Sequence, residues 1–148
     1  MLGYWRRPDL TEQTIRGDWM WTGDIATWDK EGYVFIVDRA KDMIISGGEN
    51  IYSTQVEAAI HQHPAVLESA VFGIPDNTWG EAVKAVVVLK PGQTATEEEI
   101  ISEASKHLAS YQKPKSVDFV EALPKAPTGK ILKRDLRDPY WQEEIRQV

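Results

Sequence analysis

The chain has 148 residues, enough for one ordinary domain or a small domain with part of another. Its 42% hydrophobic and 27% charged residues are those of a water-soluble globular chain; no apolar run nears the roughly 20 residues that cross a bilayer, and residues 1–8 lack the apolar core of a secretory signal. Cysteine is absent, which excludes disulfides, thiolate metal sites and a cysteine nucleophile and makes the cytoplasm the expected compartment. A net charge of −6 argues against general nucleic-acid binding. The charge is uneven, however. Residues 111–137 hold seven bases (Lys113, Lys115, Lys125, Lys130, Lys133, Arg134, Arg137) against three acids, a balance of +4 that leaves −10 elsewhere. Such a patch suits a small polyanion such as a nucleotide; the competing reading is a solvated basic face that binds nothing.

Residues 1–37 are rich in aromatics and charges and show no helical period. Trp5, Trp19, Trp21 and Trp28 all lie here, four of the six tryptophans. Residues 28–37 predict a β-turn followed by a strand. So many tryptophans need a surface to pack against, and the segment is too short to supply it. It therefore reads as part of a larger body.

Four charges follow, Asp38, Arg39, Lys41 and Asp42, and then a short strand at Met43-Ile44-Ile45 and a turn at Gly47-Gly48. Paired glycines permit positive φ and close approach of backbone to a ligand. This charged joint reads as a boundary between two bodies, 1–40 and 41–148. From Lys41 onward the pattern is a compact α+β unit. Thr54-Gln55-Val56-Glu57 predicts a capping box and a helix with Val56, Ala59 and Ile60 on its apolar face, ended by Pro64. Residues 66–74 predict a strand closed by a turn at Pro75-Asp76-Asn77. Residues 82–89 predict another, with Val86-Val87-Val88 implying burial on both faces. Thr96 and Glu99 predict the cap of a helix whose stripe is Ile101, Ala104 and Leu108. Residues 117–120 predict a further strand, and a short helix is expected near 131–136, closed by Pro139. There are no internal repeats.

Five segments in this order resemble the adenylate-forming acyl-CoA synthetases, the superfamily that also holds luciferase and peptide-synthetase adenylation domains. They are Trp21-Thr22-Gly23-Asp24, residues 38–52, Gly73-Ile74-Pro75-Asp76, residues 79–83 and residues 123–137. Each is moderately specific alone; together and in order they are highly specific, and they cover nearly the whole chain. The resemblance is to the C-terminal quarter of such an enzyme. It implies a small C-terminal lid domain (41–148), a three-stranded sheet packed by helices. Before it come a β hairpin and residues 1–40, the tail of the larger N-terminal AMP-binding domain. The phosphate loop and acyl pocket of the family have no counterpart here.

The resemblance also implies an activity: an acid-thiol ligase joining a carboxylic acid, fatty or aromatic, to CoA through an acyl-adenylate. The implied cofactors are ATP, CoA and Mg2+ held mainly by the N-terminal domain. The chain alone is expected to be inactive, and its protein partner is its own N-terminal domain. No nucleic acid, no membrane span and no metal site within this chain are expected. Asp24 resembles the aspartate that accepts hydrogen bonds from the ribose diol, and Arg39 the arginine beside it. Lys130 resembles the lysine that bridges the attacking carboxylate and the α-phosphate, and Lys41 occupies the hinge position about which the lid turns. Gly47, Gly48 and Glu49 would line the pantetheine tunnel. Trp79, Tyr111, Lys113 and Lys115 would hold the CoA nucleotide, an aromatic for adenine and cations for phosphate. Read without the resemblance, these are a turn aspartate, a surface ion pair, solvated lysines, a glycine turn and a core tyrosine. His61, His63 and His107 read as surface residues. Two alternatives stay open: a carrier-protein acceptor in place of CoA, and a non-catalytic binding module.

Overall fold

A computed structural model describes residues 1–141. The chain forms two compact units, Met1–Lys41 and Asp42–Val148.

The first unit begins with a helix, α1 (Pro8–Thr14), where no helical period was legible. It is one short helix without buried residues, started by proline at its first turn and by the fork of Arg7 on Asp9. Two short strands, β1 (Ile15–Arg16) and β2 (Trp19–Met20), pair antiparallel, as do β3 (Asp24–Trp28) and β4 (Val34–Arg39). The turn between β3 and β4 is built by Asp29, whose Oδ1 accepts the N–H groups of Glu31 and Tyr33 at 2.9 and 3.0 Å. Asp38 is the one buried residue of the unit. Trp5, Trp19, Trp21 and Trp28 are all more than half exposed.

The second unit is built on one sheet. Its strands are β5 (Ile44–Ser46), β6 (Glu49–Ile51), β7 (Val66–Asp76), β8 (Gly80–Leu89) and β9 (Ser116–Phe119). β7 and β8 form a long antiparallel hairpin. On the other side of β8, β9 runs parallel from Ser116 to Phe119, and β5 joins beside it through Ser46 and Gly80. The three strands expected from sequence are thus β7, β8 and β9; the hairpin β5–β6 enlarges the sheet to five. A short strand was expected at residues 43–45 with a turn at Gly47-Gly48, and both form; that their hairpin joins the sheet was not legible, because three-residue strands give little alternation to read.

Alternation along β7 and β8 divides the core. Val71, Val83, Ala85 and Val87 face α2 (Ser53–Ile60) and α3 (Glu97–Ser105), meeting Val56, Ile60, Ile100 and Ala104. Ala70, Phe72, Val86 and Val88 face the other way, toward Leu123, Ile131 and Leu136. β8 is therefore covered on both faces, as its unbroken valines imply. The segment after β9 covers the second face and ends in α4 (Lys133–Arg137) and a 3₁₀ turn at Asp138–Tyr140.

Local expectations fared unevenly. The capping box at Thr96 and Glu99 forms, with bonds of 3.2 and 2.8 Å. The one at Thr54 does not: the N-cap of α2 lies two residues earlier, at Tyr52, which supplies no side-chain cap. Glu57 is drawn elsewhere, accepting the N–H of Val71 at 2.8 Å and pairing with Lys133 at 2.7 Å. The turn expected at Pro75 lies at 77–79 because β7 continues through Asp76, paired with Gly80. In α3 the fully buried residues are Ile100 and the expected Ala104, with Ile101 half-buried beside them and Leu108 half-buried just beyond the helix. The last helix starts two residues later than expected, at Lys133.

Candidate functional site

Asp24 opens β3 and Arg39 closes β4, and the two are register partners. Arg39 Nε lies 3.5 Å from Asp24 Oδ1, with the aspartate half-buried and the arginine about half exposed. Backbone bonds fix the pair: Ala40 N–H donates to Gly23 O at 2.9 Å, and Asp24 N–H to Thr22 Oγ1 at 3.1 Å. Gly23 has φ +76°, a conformation that costs a side-chain-bearing residue about 1–2 kcal/mol. The Thr-Gly-Asp turn thus sets one carboxylate and one guanidinium side by side, acceptor next to donor fork. Lys41 sits next, exposed in the 3₁₀ turn Ala40–Asp42, and is the last residue of the first unit.

In the second unit a cleft of about 450 Å³ collects most of the remaining candidates. Its walls include Gly47, Glu49, Trp79, Tyr111, Lys113 and Lys115, which are distant in sequence. Topology explains the convergence. The β5–β6 turn brings Gly47 and Glu49, the β7–β8 turn brings Trp79, and the approach to β9 brings residues 111–115. Gly47 N–H donates to Trp79 O at 2.8 Å, locking the two turns together. Gly47 has φ +60°, and a Cβ there would fall 2.8 Å from Trp79 Cε3, so the indole needs the glycine. Gly48 has φ +84° and open space around it, and it does not line the cleft.

Trp79 is half exposed and is positioned by Asp76. Asp76 Oδ1 accepts the N–H groups of Thr78 and Trp79, both at 2.9 Å, while Oδ2 meets Lys115 Nζ at 3.0 Å. These bonds, the Trp79 N–H foremost and then Lys115 and Thr78, hold the Asp76 carboxyl below the usual range. Lys115 Nζ also stands 6.0 Å from the Trp79 ring centroid. Tyr111, in the 3₁₀ turn Ser110–Gln112, is nearly half exposed, and Lys113 follows it. An exposed aromatic pair with two cations at one rim can stack a base and neutralise phosphate. Asp76 was missed as a site residue. Its signal is an aspartate two and three residues before turn amides, the pattern of an Asx turn.

The seven bases do not form one open patch. Lys115, Lys125, Lys133, Arg134 and Arg137 pair with Asp76, Glu68, Glu57, Asp135 and Asp42. Lys113 and Lys130 make no ion pair with the described residues. Lys130 is exposed on a loop whose neighbour Ile131 packs on the second face of the sheet, whereas Val83 and Ile101, at the wall of the cleft, belong to the first. The cleft residues and Lys130 are therefore carried by opposite faces of one sheet. Two further recognition segments, 73–76 and 79–83, have a structural task. Gly73 lies where a Cβ would collide with the buried carboxylate of Glu81, which accepts Ile45 N–H at 3.3 Å.

Residues 55–130, half of the chain, match the AMP-binding enzyme C-terminal domain. The chain belongs to this family. A long-chain-fatty-acid–CoA ligase of Yersinia pestis is 49% identical over 99% of the chain and 25% of that protein's length. A fatty acid–[acyl-carrier-protein] ligase, ScoC, of Streptomyces coeruleorubidus is 43% identical over the whole chain and 28% of its own length. The ATP-bound crystal structure of MatB from Rhodopseudomonas palustris superposes with a TM-score of 0.84 at 42% identity, covering 93% of the chain and 28% of MatB. The chain thus spans about a quarter of the length of the curated relatives it matches. Among the described residues no helix is long and apolar enough to cross a membrane.

Proposed function

We propose that this chain is the lid portion of a cytoplasmic ATP-dependent acyl-CoA ligase acting on a fatty acid. In the first half-reaction a carboxylate oxygen attacks the α-phosphorus of ATP, forming the acyl-adenylate and releasing pyrophosphate. In the second the CoA thiol attacks the acyl carbon, and AMP leaves. Both transition states spread negative charge over oxygens, so positioned cations supply much of the catalysis. Lys130 bridges the carboxylate and α-phosphate in the first step, with a compact charge on a flexible stem. Asp24 accepts from the ribose hydroxyls, and Arg39 donates to the same sugar. Lys41 is the pivot that exchanges the two faces of the lid, and the Gly47-Gly48-Glu49 turn guides pantetheine in the second step. Trp79, Tyr111, Lys113 and Lys115 hold the CoA nucleotide.

The observation that carries this reading is the convergence of Gly47, Glu49, Trp79, Tyr111, Lys113 and Lys115 on one cleft, while Lys130 stays on the other face of the sheet. A single static site would gather both sets. Two exclusive sets suit two successive half-reactions served by alternate faces. The remaining parts, including most ATP contacts and the Mg2+ ligands, belong to a larger N-terminal AMP-binding domain of which residues 1–40 are the tail. The exposed Trp5, Trp19, Trp21 and Trp28 support such a partner body. Among the described residues no group of three or more His, Asp or Glu side chains is gathered to hold a metal ion.

A carrier-protein phosphopantetheine is the second reading of the acceptor, favoured by the similarity to ScoC. Product analysis of the full-length protein with ATP, a long-chain fatty acid and either free CoA or a phosphopantetheinylated carrier decides between them. Acyl-CoA formation at the faster rate supports the proposal. Acylation of the carrier alone overturns the choice of CoA, and no adenylate with either acceptor overturns the ligase reading.

A further inference from the structure

Lys130 stands on a small hairpin. Ala126 N–H donates to Lys130 O and Leu132 N–H to Pro124 O, both at 2.8 Å, and Lys125 and Ile131 form an isolated β-bridge. A two-legged hairpin of this size is marginal in water unless its legs are held. Leu123 is buried at its start, and Ile131 is half-buried near its end. Beyond these apolar anchors, each leg ends in a lysine that grips a glutamate. Lys125 Nζ meets Glu68 Oε1 in an exposed pair.

The second grip is more enclosed. Lys133 Nζ lies 2.7 Å from both Glu57 Oε1 and Ser53 Oγ, and the Lys133 and Glu57 side chains are 15% and 19% exposed. The same Glu57 oxygen accepts Val71 N–H from β7, an edge strand of the sheet. Lys133 is thus coupled through one carboxylate to a strand of the core. The helix that carries it has five residues, none of them buried, and is too short to stabilise itself.

We propose that Lys133 is a positioning residue for Lys130. Its bond to Glu57 and Ser53 pins the C-terminal leg of the hairpin to the edge of β7 and thereby fixes where the Lys130 backbone stands. The inference rests on reading Lys130 as the adenylation lysine. A flexible four-carbon stem reaches its target productively only from a fixed base, and displacement of a catalytic group by about 1 Å costs on the order of 100-fold in rate. Lys133 is then a clamp inside the lid, and not one cation of a nucleotide-attracting patch.

The test uses Lys133→Met and the double variant Glu57→Gln/Lys133→Met. The single variant strands a carboxylate in a half-enclosed site and loses stability for that reason alone. The double variant removes both charges and keeps a side-chain carbonyl oxygen at position 57 to accept Val71 N–H. Amide hydrogen exchange is measured on this chain and both half-reactions on the full-length protein. In the double variant, Val71 protection and the unfolding midpoint stay near the parent. The Ala126 and Leu132 amides exchange at least roughly tenfold faster, and pyrophosphate release falls about 10- to 100-fold. Thiolation of supplied acyl-adenylate stays within about twofold of the parent. Parental exchange at Ala126 and Leu132, parental pyrophosphate release, or equal loss of both half-reactions overturns the proposal. Lys130→Ala runs alongside. Parental pyrophosphate release in that variant retires the adenylation reading, and the exchange data still judge the clamp.

Discussion

Gly73→Ala is the substitution whose cost follows most directly from the packing. Gly73 sits on β7 opposite Val83 of β8, and a Cβ at this position would collide with the carboxylate of Glu81 and lie 3.1 Å from Ile44 Cγ2. Glu81 is only 5% exposed and accepts Ile45 N–H, so the added methyl both crowds the sheet and displaces a charged, hydrogen-bonded group. Overpacking of a core costs about 1–3 kcal/mol, and loss of a hydrogen bond to a charged group about 1.5–3 kcal/mol. Together these come to roughly 2.5–6 kcal/mol, a large part of the 5–15 kcal/mol expected for the whole domain. For a domain near 100 residues this lowers the melting temperature by roughly 10 °C or more. Urea unfolding of the chain, followed through exchange of the β7 and β8 amides, isolates the second unit. Repeating Gly73→Ala in a Glu81→Ala background should reduce its cost to about 1 kcal/mol, because the collision partner is gone. A cost below about 1 kcal/mol in the parent, or an undiminished cost in the Glu81→Ala background, refutes the argument.

Acid stability tests the Asp76 cluster. Because the folded-state carboxyl titrates below its ordinary value near 4, it contributes stability above that pH and loses it as pH falls through the folded value. Urea midpoints should therefore drop less steeply below about pH 4 in Asp76→Asn than in the parent; parallel curves would contradict the assignment. Gly47→Ala places a Cβ against Trp79 and a side chain at φ +60°. In the full-length protein it should raise the KM for CoA several-fold and leave pyrophosphate release within about twofold, as read by thiol consumption and phosphate assays. An unchanged KM for CoA would remove Gly47 and Trp79 from the acceptor site.

The long elements were legible because their signals are physical and local. The valine run of β8 announced burial on two faces, and Thr96 with Glu99 announced a cap that forms with its expected bonds. Two of the failures share a cause, which is competition by a distant partner. Glu57 looked like a capping residue but is taken by Val71 N–H and Lys133, and nothing within α2 reveals either. Lys125 and Lys133 counted as free positive charge until the fold delivered Glu68 and Glu57. The candidate site was legible as types but not as a place. The glycine turn and Trp79 were named from motifs and Tyr111, Lys113 and Lys115 from the family resemblance alone, yet only the β8-centred topology brings them to one cleft. Asp76, which orients two of them, was read as a mere turn residue.

The central claim is that opposite faces of one lid serve two half-reactions, and it is tested by separating them in the full-length protein. ATP–pyrophosphate exchange with a fatty acid reports the first, and thioester formation from supplied acyl-adenylate and CoA the second. Lys130→Ala should cut the exchange by at least roughly 100-fold, about 3 kcal/mol of transition-state stabilisation, and leave thioester formation within about threefold. Tyr111→Ala should do the reverse, weakening CoA use with exchange intact. Equal loss of both half-reactions in either variant, or parental exchange in Lys130→Ala, would contradict the two-faced lid.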